Sequence, residues 1–268
     1  MDSVDSVDSE IDERVSKLLK LPQYEQRTPE WYAQRLGALT ASDVPTALGD
    51  NKYKSQWQLL LDKCGAGKPF TGNAATVWGN HYEDVAIEKY SEIKNKKVLS
   101  FGLIIHPEHK WLGGSPDGIT TDGILLEVKC PLTRKIVPGE VPHHYLAQVL
   151  INLEVCNLEI AHFIEFVPGK SDSDYQINIV TVHRDREWFA EKLSILKEFW
   201  DSVLMYREIG ISKHPKFQKY SDNSENRKYK NSGVVLDLTS NDDSENGNQN
   251  IQNIQNTKNI QNYFLEDF

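Results

Sequence analysis

Glu127-Val128-Lys129 places an acid and a base two residues apart at the end of an apolar run, Gly123-Ile124-Leu125-Leu126. Alternate residues of a strand share a face, so Glu127 and Lys129 point together while Leu126 and Val128 turn to the core. Charges at the end of an apolar strand cost desolvation energy, and a simple cross-face ion pair is the usual outcome of E-x-K. Asp117, ten residues upstream in Gly114-Ser115-Pro116-Asp117-Gly118, changes that expectation. Ser-Pro-Asp-Gly is turn chemistry and by itself predicts only a hairpin. A turn acid followed, after a short strand, by E-x-K gathers three charged groups at one end of one hairpin. Two close carboxylates repel unless a cation lies between them. Hard oxygen donors suit Mg²⁺, with Mn²⁺ as the alternative. Lys129 beside them is placed to orient or deprotonate a water on that metal.

These residues need elements to hold them. Residues 1–12, built on a repeated Asp-Ser-Val, are acidic and poor in core formers, which predicts a disordered leader. From about Ile11 the pattern turns helical through Val15, Leu18 and Leu19 and stops at Pro22. Thr28-Pro29-Glu30-Trp31-Tyr32 has the form of a helix start, with Thr as N-cap and Pro at the first helical position. Ser42 is placed to cap a short helix ending at Gly49, and Ser55 another, with Gln58 completing a capping box. Trp78, Tyr82, Val85, Ala86 and Tyr90 recur at helical spacing, which predicts a longer helix over 75–91. From Val98 the texture changes. Segments 98–105, 110–120 and 123–130 are short and apolar with turn signals between them, which predicts successive strands of a meander. A helix follows from Pro142 to about Leu153, then strands over 160–167 and 175–182, then a helix over 184–208. The expectation is an α/β domain over 13–215, a central mixed β-sheet flanked by helices, with tails at both ends.

The charged triplet and its surroundings resemble the PD-(D/E)xK nucleases, with Ser115-Pro116-Asp117 and Glu127-Val128-Lys129 filling the two halves of the motif. Five segments in order extend the match: Trp31…Arg35-Leu36-Gly37…Thr40-Ala41-Ser42, Gly79-Asn80-His81-Tyr82-Glu83, Gly114 to Gly118, Leu126 to Pro131, and Tyr145-Leu146-Ala147-Gln148. Together they resemble the phage lambda exonuclease / YqaJ-like viral recombinase family over roughly residues 28–205. The resemblance implies a restriction-endonuclease-like core. It implies a Mg²⁺-dependent exonuclease that digests one strand of duplex DNA from a 5′ end, for recombination or repair. A single-strand annealing protein as partner and a homo-oligomeric ring are part of the same implication. By position, Asp117, Glu127, the Val128 carbonyl and Glu83 would hold the metal, Lys129 would activate the water, and Gln148 would lie near the site. Arg35, Thr40, Ser42 and Ser115 would form a pocket for a 5′-phosphate, which suits an Arg fork and hydroxyls at a helix start. The rivals are a structure-specific endonuclease or nickase on the same fold and a non-catalytic DNA-end-binding adaptor. The intact Asp117, Glu127 and Lys129 set argues against the adaptor.

Other candidates carry less. Arg134 and Lys135 follow the E-x-K strand and are placed for DNA-backbone contacts. His143 and His144 face apart on a helix, and Cys64, Cys130 and Cys156 are too few and scattered for a disulfide framework or a cysteine zinc site. The net charge of −9 sits at the ends. Residues 1–15 carry six acids and one Arg, residues 221–268 carry eight acids and four bases, and 16–220 is neutral. A local basic groove in the central part therefore remains compatible with DNA. No stretch approaches the ~20 apolar residues of a membrane span. The acidic opening also lacks the apolar core of a secretory signal. These features point to an intracellular protein of the nucleus or a viral replication site.

Residues 216–268 lose core-forming composition, and 221–268 hold 11 Asn, which predicts a disordered tail. Two short runs stand out. Val234, Val235, Leu236 and Leu238, followed by Asp242, Asp243 and Glu245, resemble a SUMO-interaction motif. Residues 257–264, with Ile260, Tyr263 and Phe264 as anchors, resemble a sliding-clamp box whose usual first Gln is Thr257.

Overall fold

The computed structural model describes residues 11–67, 72–171 and 174–217. The two tail motifs at 234–238 and 257–264 lie outside the described residues, as does most of the acidic leader. The chain order is α1 (Glu13–Leu19), α2 (Pro29–Leu36), β1 (Leu39–Thr40), a 3₁₀ turn (Ala41–Asp43), α3 (Val44–Ala47), α4 (Gln56–Lys63) and α5 (Ala74–Lys94). There follow β2 (Val98–Leu99), β3 (Ile104–Ile105), β4 (Leu112–Gly114), β5 (Gly118–Thr120), β6 (Ile124–Lys129) and α6 (His143–Cys156). The last elements are β7 (Ile160–Pro168), β8 (Tyr175–His183), α7 (Arg186–Ile209) and a 3₁₀ turn (Ile211–Lys213).

The expected α/β architecture forms: mixed sheets flanked by helices. The strands make a five-stranded sheet, β2-β5-β6-β7-β8, and a three-stranded one, β1-β4-β3. β6 is central. It runs antiparallel to β5 and parallel to β7, with Glu127 opposite Phe163 and Lys129 opposite Glu165. Parallel β6 and β7 need a crossover, and α6 supplies it. Both faces of β6 are therefore buried. Leu126 and Val128 pack with Ala86 and Tyr90 of α5, while Leu125 joins the larger core with Val149, Ile151 and Phe163. Glu127 shares Leu125's face, so it is buried under α6 instead of facing water.

Three local expectations are corrected. Segments 98–120 do not form a simple meander: β2 pairs with β5, whereas β3 pairs with β4 in the other sheet. The break falls at Gly102, whose N–H donates to Gln23 Oε1 at 2.8 Å and where a Cβ would stand 2.2 Å from the Tyr24 carbonyl oxygen. The chain ahead of α2 thus clasps the run and sends its two ends to different neighbours. Ser42 does not cap α3; it lies inside the 3₁₀ turn ahead of it, whose N-cap is Thr40 in a capping box with Asp43. Asp12, expected in the leader, is held in the fold. It caps α1 by accepting from the Arg14 N–H, and its own N–H donates to the Thr121 carbonyl at 2.8 Å. The Thr28 cap with Pro29 and the Ser55–Gln58 capping box form as expected. Among the described residues, no helix is long and apolar enough to cross a membrane.

Candidate active site

β4 ends at Gly114, the chain turns through Ser115-Pro116-Asp117, and β5 and β6 bring Glu127 alongside. The turn is pinned to β6 twice. The Asp117 N–H donates to the Leu126 carbonyl at 3.2 Å, and Asp117 Oδ2 accepts from the Val128 N–H at 2.6 Å. Glu127 is fully buried. Its Oε1 accepts from Lys129 and from Gln148 Nε2, the latter at 2.5 Å, and its Oε2 accepts from Asn152 Nδ2 at 3.0 Å. Gln148 and Asn152 lie one turn apart on α6, which is the i, i+4 spacing that shares a helix face. Lys129 also donates to the Val128 carbonyl at 3.1 Å, and its ammonium sits 5.4 Å from the centre of the Tyr145 ring. Glu83 projects from α5 and is ion-paired with Arg27 at 2.8 Å.

The electrostatics of this group are set by burial and by an excess of acids. Burial, with Asp117 adding to it, pushes the Glu83 carboxyl up to about 7 against the pull of Arg27 and Lys129. Burial raises Glu127 to about 7 as well; Lys129 opposes this and Asp117 reinforces it. Asp117 is also raised by burial, despite Lys129, the Val128 N–H and Arg27. Burial works against the Lys129 ammonium, but Glu127 and Asp117 outweigh it and hold the proton on more tightly than usual. Among the described residues, no three His, Cys, Asp or Glu side chains already close around a common point. The donor set nevertheless fits a hard divalent cation. It consists of carboxylate and carbonyl oxygens, and a cation would offset the desolvation that raises all three acids and the repulsion from Asp117 that adds to it at Glu83 and Glu127.

The second group of predicted residues also comes together. Arg35 Nη2 donates to Ser42 Oγ at 2.7 Å, and the Ser42 and Thr40 hydroxyls are 3.2 Å apart. The Arg35 guanidinium lies 4.4 Å over Trp31, whose Nε1–H donates to Ser115 Oγ at 3.1 Å. Trp31 thereby joins this group to the turn that carries Asp117. Thr40 sits differently from Ser42: it is buried, and both its hydroxyl (2.5 Å) and its N–H (3.1 Å) donate to Asp43. It lies beneath the group, whereas Arg35 is half-buried and Ser42 exposed.

The supporting residues had no local signal. Lys63 is buried and spends its donors on Asp43 and on the Arg35 and Ala38 carbonyls, each at 2.7 Å. It ties the end of α2, with Arg35, to β1 and the 3₁₀ turn that carries Ser42. Asn152 and Arg27 likewise give no local signal, since neither belongs to a recognisable motif. The helical spacing of Asn152 from Gln148 was the one available hint. Arg134, expected at the DNA backbone, turns inward to fully buried Glu165 at 2.5 Å, with Asn178 on the other oxygen of Glu165 at 3.1 Å. A buried carboxylate leaves an adjacent arginine little alternative. Lys135 is exposed on the same loop. Burial pushes the Cys130 thiol up to about 12, so it is a packing residue.

Fold and site together define an α/β protein whose central hairpin presents a carboxylate–lysine cluster beside a hydrogen-bonded Arg35–Ser42 pair. Residues 30–159 match the model of the YqaJ-like viral recombinase domain. Over 177 residues the chain is 35% identical to uncharacterized protein R354 of Acanthamoeba polyphaga mimivirus, covering 60% of this chain and 32% of that protein. It is 26% identical over 189 residues to uncharacterized protein YqaJ of Bacillus subtilis, covering 68% of this chain and 58% of that one. The chain thus spans about a third and somewhat over half of these two relatives. Its fold is similar to the alkaline exonuclease LHK-Exo of Laribacter hongkongensis, with a TM-score of 0.57 and 25% identity over 68% of this chain and 95% of that one.

Proposed function

We propose that this chain is a divalent-metal-dependent deoxyribonuclease that removes nucleotides from a 5′ end of duplex DNA. The observation that carries the reading is the acid-rich cluster of fully buried Glu127 with part-buried Asp117 and Glu83 around Lys129, on a fold similar to that of an alkaline exonuclease. A structure of that exonuclease in complex with dAMP matches this chain with a TM-score of 0.58 and 26% identity.

Asp117, Glu127 and the Val128 carbonyl would hold the metal, with Glu83 completing the set and Mg²⁺ the natural ion. When bound, the cation supplies Lewis-acid polarisation of the scissile phosphate and acidifies nearby water. Gln148 and Asn152 keep both Glu127 oxygens oriented. Lys129 enters as an ammonium that orients the attacking water. It can accept a proton only once the charge of Glu127 and Asp117 is neutralised, because those carboxylates now hold its own proton in place. Arg35 and Ser42, with Ser115 behind Trp31, would bind the terminal 5′-phosphate and so place the first phosphodiester over the acids. This activity belongs to intracellular DNA processing, and the mimivirus relative favours a viral replication setting.

The test is digestion of end-labelled linear duplex in Mg²⁺ and in EDTA, with a 5′-phosphate, a 5′-hydroxyl and a closed circle compared. Mg²⁺-dependent loss from 5′-phosphorylated ends is expected, and Arg35→Ala should erase the preference for the phosphate. Cleavage of the closed circle would make the chain an endonuclease. No cleavage of any substrate would overturn the reading.

A further inference from the structure

Three described non-glycine residues have left-handed backbone: Arg27 (φ 69), Asn95 (φ 50) and Asn157 (φ 51). The two asparagines cap the C-termini of α5 and α6, a common use of that conformation by the residue type that tolerates it best. Arg27 has neither excuse. It lies in the link between α1 and α2, where its Cβ meets a steric penalty that glycine would escape. The strain is held from both sides. On one side, Gln26 Nε2 donates to the Phe101 carbonyl at 2.8 Å and to the Pro116 carbonyl, next to Asp117, at 3.0 Å. On the other, Thr28 caps α2 and donates its hydroxyl to the Glu25 carbonyl at 2.7 Å. Between these anchors the Arg27 guanidinium reaches Glu83 Oε1 at 2.8 Å, with 42% of the side chain still exposed.

We propose that Arg27 is a phosphate contact of this site: a guanidinium held ready on Glu83 and presented to a DNA phosphodiester lying over Asp117 and Glu127. The inference rests on the nuclease reading above. Three acids, Glu127 fully buried and Asp117 and Glu83 partly so, repel a phosphate, and Lys129 is committed to Glu127 and the Val128 carbonyl. A polyanionic substrate therefore needs a further cation at the mouth. Arg27 supplies it in the form best suited to phosphate, a planar fork of five donors. Among the described residues, Glu83 is its one hydrogen-bond partner, so most of that fork is available. The strained backbone explains why the link is tied to the Asp117 turn: the ties hold Arg27 over the acids. Strain of this kind is more often kept at a working position than at a passive one.

The experiment measures binding of the full chain to a 5′-phosphorylated duplex by fluorescence anisotropy in EDTA, over a range of salt concentrations. Arg27→Gly removes the guanidinium and also relieves the backbone, so loss of binding would not come from unfolding. Arg27→Gln repeats the test with a side chain retained, and Arg27→Lys keeps the charge without the fork. Arg186→Gln is the charge control, since Arg186 is 60% exposed and paired with Glu159 ahead of β7. Affinity is expected to fall about tenfold in Arg27→Gly and Arg27→Gln, with the salt slope reduced by about one, partial recovery in Arg27→Lys and near-native binding in Arg186→Gln. Native affinity and slope in Arg27→Gly and Arg27→Gln, whatever their melting temperatures, would reduce Arg27 to a tie between a loop and α5. If the unaltered chain neither binds nor cleaves DNA, the nuclease reading itself fails and Arg27 falls with it. If it cleaves and the Arg27 variants bind as it does, only the Arg27 assignment is lost.

Discussion

Helix α6 touches two buried charge clusters that stand in opposite condition. At one, Glu127 with Asp117 and Glu83 makes three carboxylates against Lys129 and Arg27, and all three acids are raised, Glu83 and Glu127 to about 7. At the other, Glu154 is gripped by Arg184 Nε and Nη2, each at 2.6 Å, with His106 4.0 Å away, and the more exposed Glu159 lies 3.5 Å from Arg184 Nη1. Burial pushes Glu154 upward too, yet His106 and Arg184 bring it down to about 2. Burial is common to both regions; the balance of partners differs. Glu154 has its donors within the chain, and the pair is complete as folded. The acid cluster is left short of positive charge, which is a condition found more often at working sites than at structural ones.

Removing acids should therefore separate the two regions most sharply. Asp117→Asn or Glu127→Gln should lower the cleavage rate by about 10³-fold or more, roughly 4 kcal/mol of barrier, while the melting temperature holds or rises, since a disfavoured charge is gone. A nuclease assay paired with thermal unfolding decides this, and native turnover in both variants would dismantle the assigned site. Glu154→Gln should do the reverse. It takes from buried Arg184 its closest carboxylate and leaves it Glu159 at 3.5 Å and the Asn157 amide oxygen at 2.7 Å, costing about 3 kcal/mol of stability, with the rate per folded molecule unchanged. Chemical denaturation would expose a wrong assignment if Glu154→Gln proved harmless to stability.

Within the acid cluster the cation can be tested next. Lys129→Ala should slow cleavage about 10²-fold through loss of water positioning. Single-turnover kinetics at saturating Mg²⁺ isolate that step, and an unaffected rate would move the role elsewhere.

The smallest expected effect is a pair of opposite pH slopes in the metal-free protein. Glu83 and Glu127 at about 7 lie above the ordinary 4.5, so the folded state holds their protons more tightly than the unfolded state. Their contribution makes the fold more stable as pH falls from about 7 towards about 4.5. Glu154 lies below its ordinary value, so its contribution is present above about 4.5 and is lost as pH falls towards about 2. Melting temperature against pH in EDTA should show Glu127→Gln flattening the upper window and Glu154→Gln the lower. If both variants changed the same window, the contrast between the clusters would not hold.

Local rules reach part of this molecule. Strand alternation places Glu127 and Lys129 on one face, Ser-Pro-Asp-Gly makes the turn that carries Asp117, and Thr28-Pro29 and Ser55-Gln58 start their helices, because each depends on residues a few positions apart. Five short motifs in order were enough to indicate the family resemblance and the α/β architecture. The tertiary structure alone decided what each charge faces. Glu127 meets Asn152 from α6, Lys63 meets the Arg35 and Ala38 carbonyls, and Arg27 meets Glu83 on α5. Arg134 leaves the surface for Glu165 for the same reason. Likewise, 98–105 looks like one apolar strand and becomes two, because the chain ahead of α2 clasps Gly102. Such pairings join elements distant in sequence. Their energies depend on burial and on the local balance of charge, and both exist only after the chain has packed.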